Sequence, residues 1–207
     1  MADELPYSAP AERNKEAILA VLRQVLGPRG SLLEIASGTG QHAAFFAAAL
    51  QDWNWQPTDA DASLLPAIAT RVAQSGLANV RPPVLLDVLQ PRWPAQHTPF
   101  AQKFDAIFCA NMLHIAPWAA CAGLMRGAAR HLAPGGLLVT YGPYFEDAVA
   151  PAPSNVAFDQ SLRSRDPAWG IRRIEDVAAA ARDAGLVLNA RHAMPANNLL
   201  LVFGLEG

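Results

Sequence analysis

The 207 residues suffice for one domain with a sizeable core, and a hydrophobic fraction of 52% with mean hydropathy +0.12 excludes a disordered chain. A formal net charge of -2 argues against a broad nucleic-acid footprint, and no apolar run approaches the ~20 residues of a membrane span. Cys109 and Cys121 are too few for a disulfide framework and lack metal-ligand spacing, so both read as small buried residues and no metal is expected.

Residues 1–10 form a Pro-containing lead-in without the basic start and apolar core of a signal peptide, which points to the cytoplasm. Residues 11–26 carry Ile18, Leu19, Leu22, Val25 and Leu26 at helical spacing, and Gly27-Pro28 stops them. The spacing then predicts a strand over 31–36, a Gly-rich turn, a helix over 41–50, a strand over 52–58 and a helix over 63–74. A short strand at 83–86 precedes a loop rich in Pro and Trp over 90–100. Residues 104–110 form an apolar run suited to a strand buried on both faces. A helix over 116–132, a turn at Pro134-Gly135-Gly136 and a strand over 137–141 follow. Residues 143–153 read as loop, 154–164 as a short helix, and 174–184 as a helix closed by Gly185. Strands at 186–190 and 199–203 end the chain. They are joined too briefly for a crossover helix, so they are expected to be antiparallel.

Alternating strands and helices give an α/β fold, a doubly wound and mostly parallel seven-stranded sheet with an antiparallel C-terminal hairpin. Ligands of such sheets sit outside the carboxyl ends of the strands. The residues gathered there are Ser37 to His42, Asp59 and Asp61, Asp87, Asn111 to His114, and Tyr141 to Tyr144. The glycines allow a sharp turn and close approach of a ligand to a helix N-terminus. Asp59, about twenty residues beyond that turn, is placed to accept ribose hydroxyls, or to cap the next helix, as Asp61 is. Asp87 is placed to accept from an adenine amino group, or is a solvated turn residue. His114 has the intrinsic pKa of a general base and can equally be a positioning group.

Gly38-x-Gly40-x-x-Ala43 also satisfies the dinucleotide fingerprint, so the turn alone leaves a nicotinamide cofactor open. Glu34 within the end of the first strand, the absence of room for a separate substrate domain, and the closing antiparallel strands argue against it.

The segment Glu34-Ile35-Ala36-Ser37-Gly38-Thr39-Gly40, with Asp59, Asp87, Asn111-Met112-Leu113-His114 and Pro134-Gly135-Gly136-Leu137, resembles the class I S-adenosylmethionine-dependent methyltransferases. More narrowly, the chain resembles the group of methyltransferase-like protein 26. Ala11-Glu12-Arg13-Asn14-Lys15-Glu16, Phe108-Cys109-Ala110-Asn111-Met112-Leu113-His114-Ile115-Ala116-Pro117-Trp118, Pro153-Ser154-Asn155, Asp166-Pro167-Ala168-Trp169-Gly170 and Met194-Pro195-Ala196-Asn197-Asn198 carry that likeness.

The resemblance implies the fold, S-adenosylmethionine as cofactor and the methyltransferase class, and it names no substrate. The charge balance and the missing base-amine motif point to a small-molecule acceptor rather than nucleic acid, and without an apolar span no membrane partner is expected. The resemblance also implies a cofactor set of Arg13, Glu34, Ala36, Ser37, Gly38, Thr39, Gly40, His42, Asp59, Asp87, Val88, Asn111 and Met112. Glu34 serves either the cofactor's amino-acid end or as a brace of the turn. Arg13 meets the cofactor carboxylate, an anionic acceptor, or only solvent. His114 and Tyr144 are the catalytic candidates. Tyr7, Asn14, Asn155, Trp169, Asn197 and Asn198 are the acceptor-side candidates, the two adjacent asparagines being equally suited to a plain turn. Arg163, Arg165, Arg172 and Arg173 either attract an anionic substrate or form an exposed basic face.

Residues 1–207 are expected to form one domain, with 1–30 folding over the site and 143–173 as a substrate-side insert. The prolines and aromatic that base-amine methyltransferases carry after the fourth strand are missing at Asn111-Met112-Leu113-His114. The rival functions are a nicotinamide-dependent reductase and a noncatalytic adenosyl-ligand-binding regulatory module.

Overall fold

A computed structural model of the protein describes residues 5–95 and 98–207. The first four residues of the expected lead-in, and Gln96 and His97 of the Pro/Trp loop, lie outside the described residues. Helix α1 (Ala9–Val25) starts where the Ser8 hydroxyl accepts from the Ala11 amide, with Pro10 in its first turn, and it buries Ile18, Leu19 and Leu22. Strand β1 (Gly30–Ile35), α2 (Gln41–Ala49), β2 (Trp53–Asp59), α3 (Leu65–Ser75) and β3 (Val84–Leu85) follow. Then come β4 (Phe104–Ala110), α4 (Trp118–His131), β5 (Leu132–Phe145) and α5 (Pro153–Arg165). Strand β6 (Arg172–Arg173), α6 (Ile174–Asp183), β7 (Leu186–Met194) and β8 (Asn198–Leu205) complete the chain.

The sheet order is β3-β2-β1-β4-β5-β8-β7, with β6 attached to β5. Strand β8 runs antiparallel to β5 and to β7, and the other pairs are parallel. The expected seven-stranded, mostly parallel sheet with an antiparallel C-terminal hairpin is therefore present, with the two-residue β6 as an eighth strand. Strand β5 departs most from expectation. It starts at Leu132, and the Pro134-Gly135-Gly136 segment is absorbed as an irregularity opposite Phe104 to Ala106, with Gly135 at φ 77. It also runs on to Phe145 rather than stopping at Tyr141.

Each face of the sheet carries its own core. On one, Ile18 and Leu22 of α1 and Phe46 of α2 pack on Trp55, Phe108 and Val139. On the other, Leu124, Met125 and Ala128 of α4 and Val177 and Ala181 of α6 pack on Leu33, Ile107 and Leu138. Each fully buried aliphatic or Phe side chain stabilises by about 2 kcal/mol.

Between β3 and β4 the second face is covered by a loop. Val88 and buried Trp93 lie directly on α4, at Gly123 and Gly127. A Cβ on Gly127 would overlap the Trp93 indole, and one on Gly123 would press on the Val88 carbonyl. Gly127→Ala is therefore expected to cost about 1–3 kcal/mol of unfolding free energy in urea titration. Gly27→Ala, whose Cβ meets open space, is the control and is expected to stay within about 0.5 kcal/mol.

Candidate active site

The chain leaves β1 toward β2 and β3 on one side, and β4 and β5 lie on the other, so the topological switch point is at the carboxyl ends of β1 and β4. The turn of residues 36–40 sits there. Ala36, Gly38 and Gly40 all take left-handed conformations, at φ 57, 57 and 73. The two glycines are needed for different reasons. A Cβ on Gly40 would lie 3.2 Å from the Ile68 backbone, whereas a Cβ on Gly38 would project into open space. That open space over the backbone, together with an α2 N-terminus that no side chain caps, is the room and the donor set that a nucleoside-type cofactor requires.

The turn is held by β2. The Ser37 amide donates to the Thr58 carbonyl at 2.8 Å, the Thr58 amide to the Ser37 hydroxyl at 3.1 Å, and the Gly38 amide to Asp59 Oδ2 at 2.8 Å. Asp59 is 7% exposed, and its other oxygen accepts from the Asp61 amide at 2.9 Å. Asp61 accepts from Ser63 and closes the turn ahead of α3. At the end of β3 the half-buried Asp87 accepts from the Leu89 amide at 2.9 Å, and Val88 beside it is buried.

Glu34 lies beneath the turn. It is 2% exposed and accepts from the Trp55 indole at 2.7 Å, while the Thr58 hydroxyl donates to its carbonyl at 2.6 Å. Burial pushes its carboxyl up to about 7, against the opposing hydrogen bonds from Trp55 and Ser37. Of the two roles expected for Glu34, this geometry is that of the brace.

Helix α1 crosses over the turn. The Ser8 amide donates to Gln41 Oε1, which also accepts from the Thr39 hydroxyl at 2.9 Å, and Gln41 Nε2 donates to Glu12. Arg71 of α3 donates to the Thr39 carbonyl at 2.8 Å and to the Pro6 carbonyl at 2.6 Å, tying the N-terminal segment to the turn. Asn14 is buried, 2.7 Å from His42 Nε2. Burial pushes the nearby Tyr141 hydroxyl above its ordinary value, against the lowering influence of Asn14. Burial depresses the His42 imidazole to about 4, and its ring stacks on Phe46 at 5.0 Å. His42 is thus engaged with α1. Arg13 is exposed, and no ion pair or side-chain hydrogen bond engages it among the described residues.

On the β4 side Asn111, at φ 61, donates its amide to the Tyr141 carbonyl, and Met112 is half-buried beside it. His114 is 6% exposed, packs against Gly142, and lies edge-on to Phe158 at 5.6 Å. Burial, then the Arg172 and Arg165 charges, depress its imidazole to about 4. At neutral pH it is a neutral ring, and of the two roles expected for it this burial suits the positioning group better than the general base.

The expected catalytic role of Tyr144 is corrected. Its hydroxyl donates to Thr140 at 2.8 Å within the core, and burial pushes it far above the ordinary tyrosine range. It is structural.

The acceptor-side candidates divide. Asn155 donates to the Asn197 carbonyl at 3.0 Å, Asn197 donates to Ser154 at 3.2 Å, and Asn198 donates to the Pro195 carbonyl at 3.0 Å. All three border a cavity of about 220 Å³ with Tyr144 and Leu199. Their amides hold the β7–β8 turn, the plain-turn alternative. Trp169 stacks under Arg165 at 4.9 Å, and Tyr7 is 66% exposed. A larger cavity of about 680 Å³ runs between α4 and α6, away from the glycine turn. The turn is the candidate site because uncapped backbone donors and the switch point coincide there. Among the described residues no group of three His, Cys, Asp or Glu side chains could hold a metal ion.

Trp55 and Arg71 lie outside the residues that the sequence gathers at the site. Trp55 becomes visible once β1 and β2 are aligned in register. Nothing local in the sequence marks Arg71.

Residues 5–204 match the family described as protein of unknown function (DUF938), and the chain belongs to that family. Three solved structures share its fold. An S-adenosylmethionine-dependent methyltransferase, SibL, in its apo form, aligns with a TM-score of 0.77 and 21% identity over 96% of this chain and 56% of its own. NcsB1, an O-methyltransferase from neocarzinostatin biosynthesis in complex with S-adenosylmethionine and 2-hydroxy-5-methyl naphthoic acid, aligns at 0.75 and 15% identity over 95% and 54%. An O-methyltransferase family protein from Burkholderia thailandensis aligns at 0.74 and 17% identity over 93% and 58%. The chain thus spans little more than half the length of each. Its fold is the one these methyltransferases share. No described helix is long and apolar enough to cross a membrane.

The buried Glu34 gives the folded protein a distinct pH response. Its folded pKa, raised to about 7 from 4.5, means that the neutral form is favoured in the fold. Its contribution to stability is full below about 4.5 and is lost as pH rises to 7. Glu34→Gln keeps an acceptor for Trp55 and removes the titration. The wild type is therefore expected to lose stability relative to Glu34→Gln between pH 4.5 and 7, by an amount of the order of a few kcal/mol, read from denaturant midpoints at each pH.

Proposed function

We propose that the protein is an S-adenosylmethionine-dependent methyltransferase acting on a small-molecule acceptor. The observation that carries this reading is the junction in which Asp59 holds the Gly38 amide while the space over Gly38 stays open. Asp59 keeps lone pairs for two ribose hydroxyls, because each oxygen accepts only one backbone amide. Asp87, Val88 and Met112 border the adenine position. Residues 36–40, with the exposed Arg13, serve the amino-acid end, and Asn111 lies where the sulfur and the acceptor meet.

The antiparallel β8 supports this cofactor over a nicotinamide, as does the methyltransferase fold of the neighbours. The narrower resemblance to the methyltransferase-like protein 26 group points the same way. The ligand of NcsB1, a small aromatic acid, supports a small-molecule acceptor.

The cofactor, when bound, supplies a methyl already activated on a sulfonium. The protein's part is alignment and exclusion of water. Helix α1, pinned by Asn14, Gln41 and Arg71, covers the site from the N-terminal side. Residues 143–173 wall it on the acceptor side, and His114 supplies a neutral, fixed ring rather than a base. A cytoplasmic location and a single domain over residues 1–207 complete the proposal.

Calorimetry with S-adenosylmethionine, S-adenosylhomocysteine and NADH tests the reading. Binding of the first two without the third is expected, and preferential NADH binding contradicts it. Asp59→Ala is expected to weaken S-adenosylhomocysteine by at least about tenfold, the size of one lost charge-assisted bond. Unchanged affinity removes Asp59 from the ribose role.

A further inference from the structure

Two guanidinium groups crowd the segment that follows β4. Arg172 donates to the carbonyls of Leu113, Ala116 and Ala168, and Arg165 stacks on Trp169. The Gly170 amide in the same turn donates to the His114 carbonyl at 3.0 Å, so both arginines belong to one rigid wall around His114. Neither has a carboxylate partner among the described residues.

The acids of this rim are engaged elsewhere. Asp159 holds Arg163 and the Ile171 amide, Asp166 holds the Ala168 amide, Asp147 pairs with Arg173, and Glu146 pairs with Arg191. Arg165 and Arg172 therefore stand beside a neutral histidine with no acid paired to either. Phe158 of α5, edge-on to His114 yet 41% exposed, leaves an aromatic surface open beside it. A cationic ligand would meet repulsion here, and a neutral one would leave the charges unused. A flat anion satisfies both features.

We propose that the acceptor is a small aromatic acid, its ring laid against Phe158 beside His114 and its anionic group turned to Arg165 and Arg172. The depressed imidazole of His114 agrees with this, because the same two cations that oppose its protonation favour an anion. The proposal names the acceptor class for the methyltransferase site above and rests on that reading.

The test uses three molecules of matched shape and different charge: cinnamate, cinnamamide and cinnamylamine. Each is titrated at up to millimolar concentration into the full chain saturated with S-adenosylhomocysteine. Cinnamate is expected to bind at least about tenfold more tightly than the amide, with the amine weakest. Arg165→Gln is expected to erase the preference, Arg165→Lys to retain most of it, and Phe158→Ala to weaken cinnamate and amide alike. Circular dichroism of each variant checks the fold. Equal binding of amide and acid, an Arg165→Gln variant with unchanged preference, or no binding of cinnamate overturns the proposal. Failure of S-adenosylhomocysteine to bind, with the charge preference intact in its absence, overturns the methyltransferase reading and leaves the anion site standing.

Discussion

One oxygen of Asp59 accepts the Gly38 amide and the other accepts the Asp61 amide, and the carboxyl edge of the sheet is built outward from that bridge. It joins the turn after β1 to the turn after β2. Ala36, a residue with a Cβ in a left-handed conformation, costs about 1–2 kcal/mol there. The bonds from Ser37 to Thr58 and from Gly38 to Asp59 offset that cost. Beneath them Glu34 and Trp55 fill the interior, so the turn rests on a buried hydrogen bond rather than on water. The strain stays local because the ends of both strands that hold the turn are buried.

The two faces of the sheet serve different ends. The α1–α2 face carries the polar links of Asn14, His42, Tyr141, Gln41 and Arg71, which fix the N-terminal segment over the turn. The α4–α6 face is almost wholly apolar and sets the height of the segment after β4. Where a crossover helix could cover it, the loop bearing Trp93 lies against two glycines of α4 instead. That close approach keeps Val88 buried next to Asp87, at the edge where an adenine ring would lie.

Much of this was legible in the chain. The apolar runs at 31–36 and 104–110 are buried on both faces and read as central strands. Gly38 and Asp59, matched by their spacing, meet in a hydrogen bond at one edge of the sheet. What escaped was set by register. The sequence pattern supports a strand only to Tyr141 and suits a loop beyond it, which leaves Tyr144 free to reach the acceptor. Strand β5 continues to Phe145, and residues three apart in a strand point to opposite faces. Tyr141 accordingly lies on the α1 face and Tyr144 in the α4–α6 core. Glu34 likewise needed the alignment of β1 on β2 to reveal Trp55 as its partner. The depressed imidazoles of His42 and His114 follow from burial, which a local sequence pattern does not encode. The edge strand β7 extends past Ala190 through Arg191-His192-Ala193-Met194, where adjacent polar residues hide the strand pattern.

The central claim is that the bridge between Gly38 and Asp59 is the floor of an adenosyl-cofactor site. Amide hydrogen exchange of the full chain with and without S-adenosylhomocysteine tests it most directly. The account requires added protection at residues 37–43 and 59–61, with NADH producing none. Protection confined to other segments, or the same protection with NADH, would contradict it.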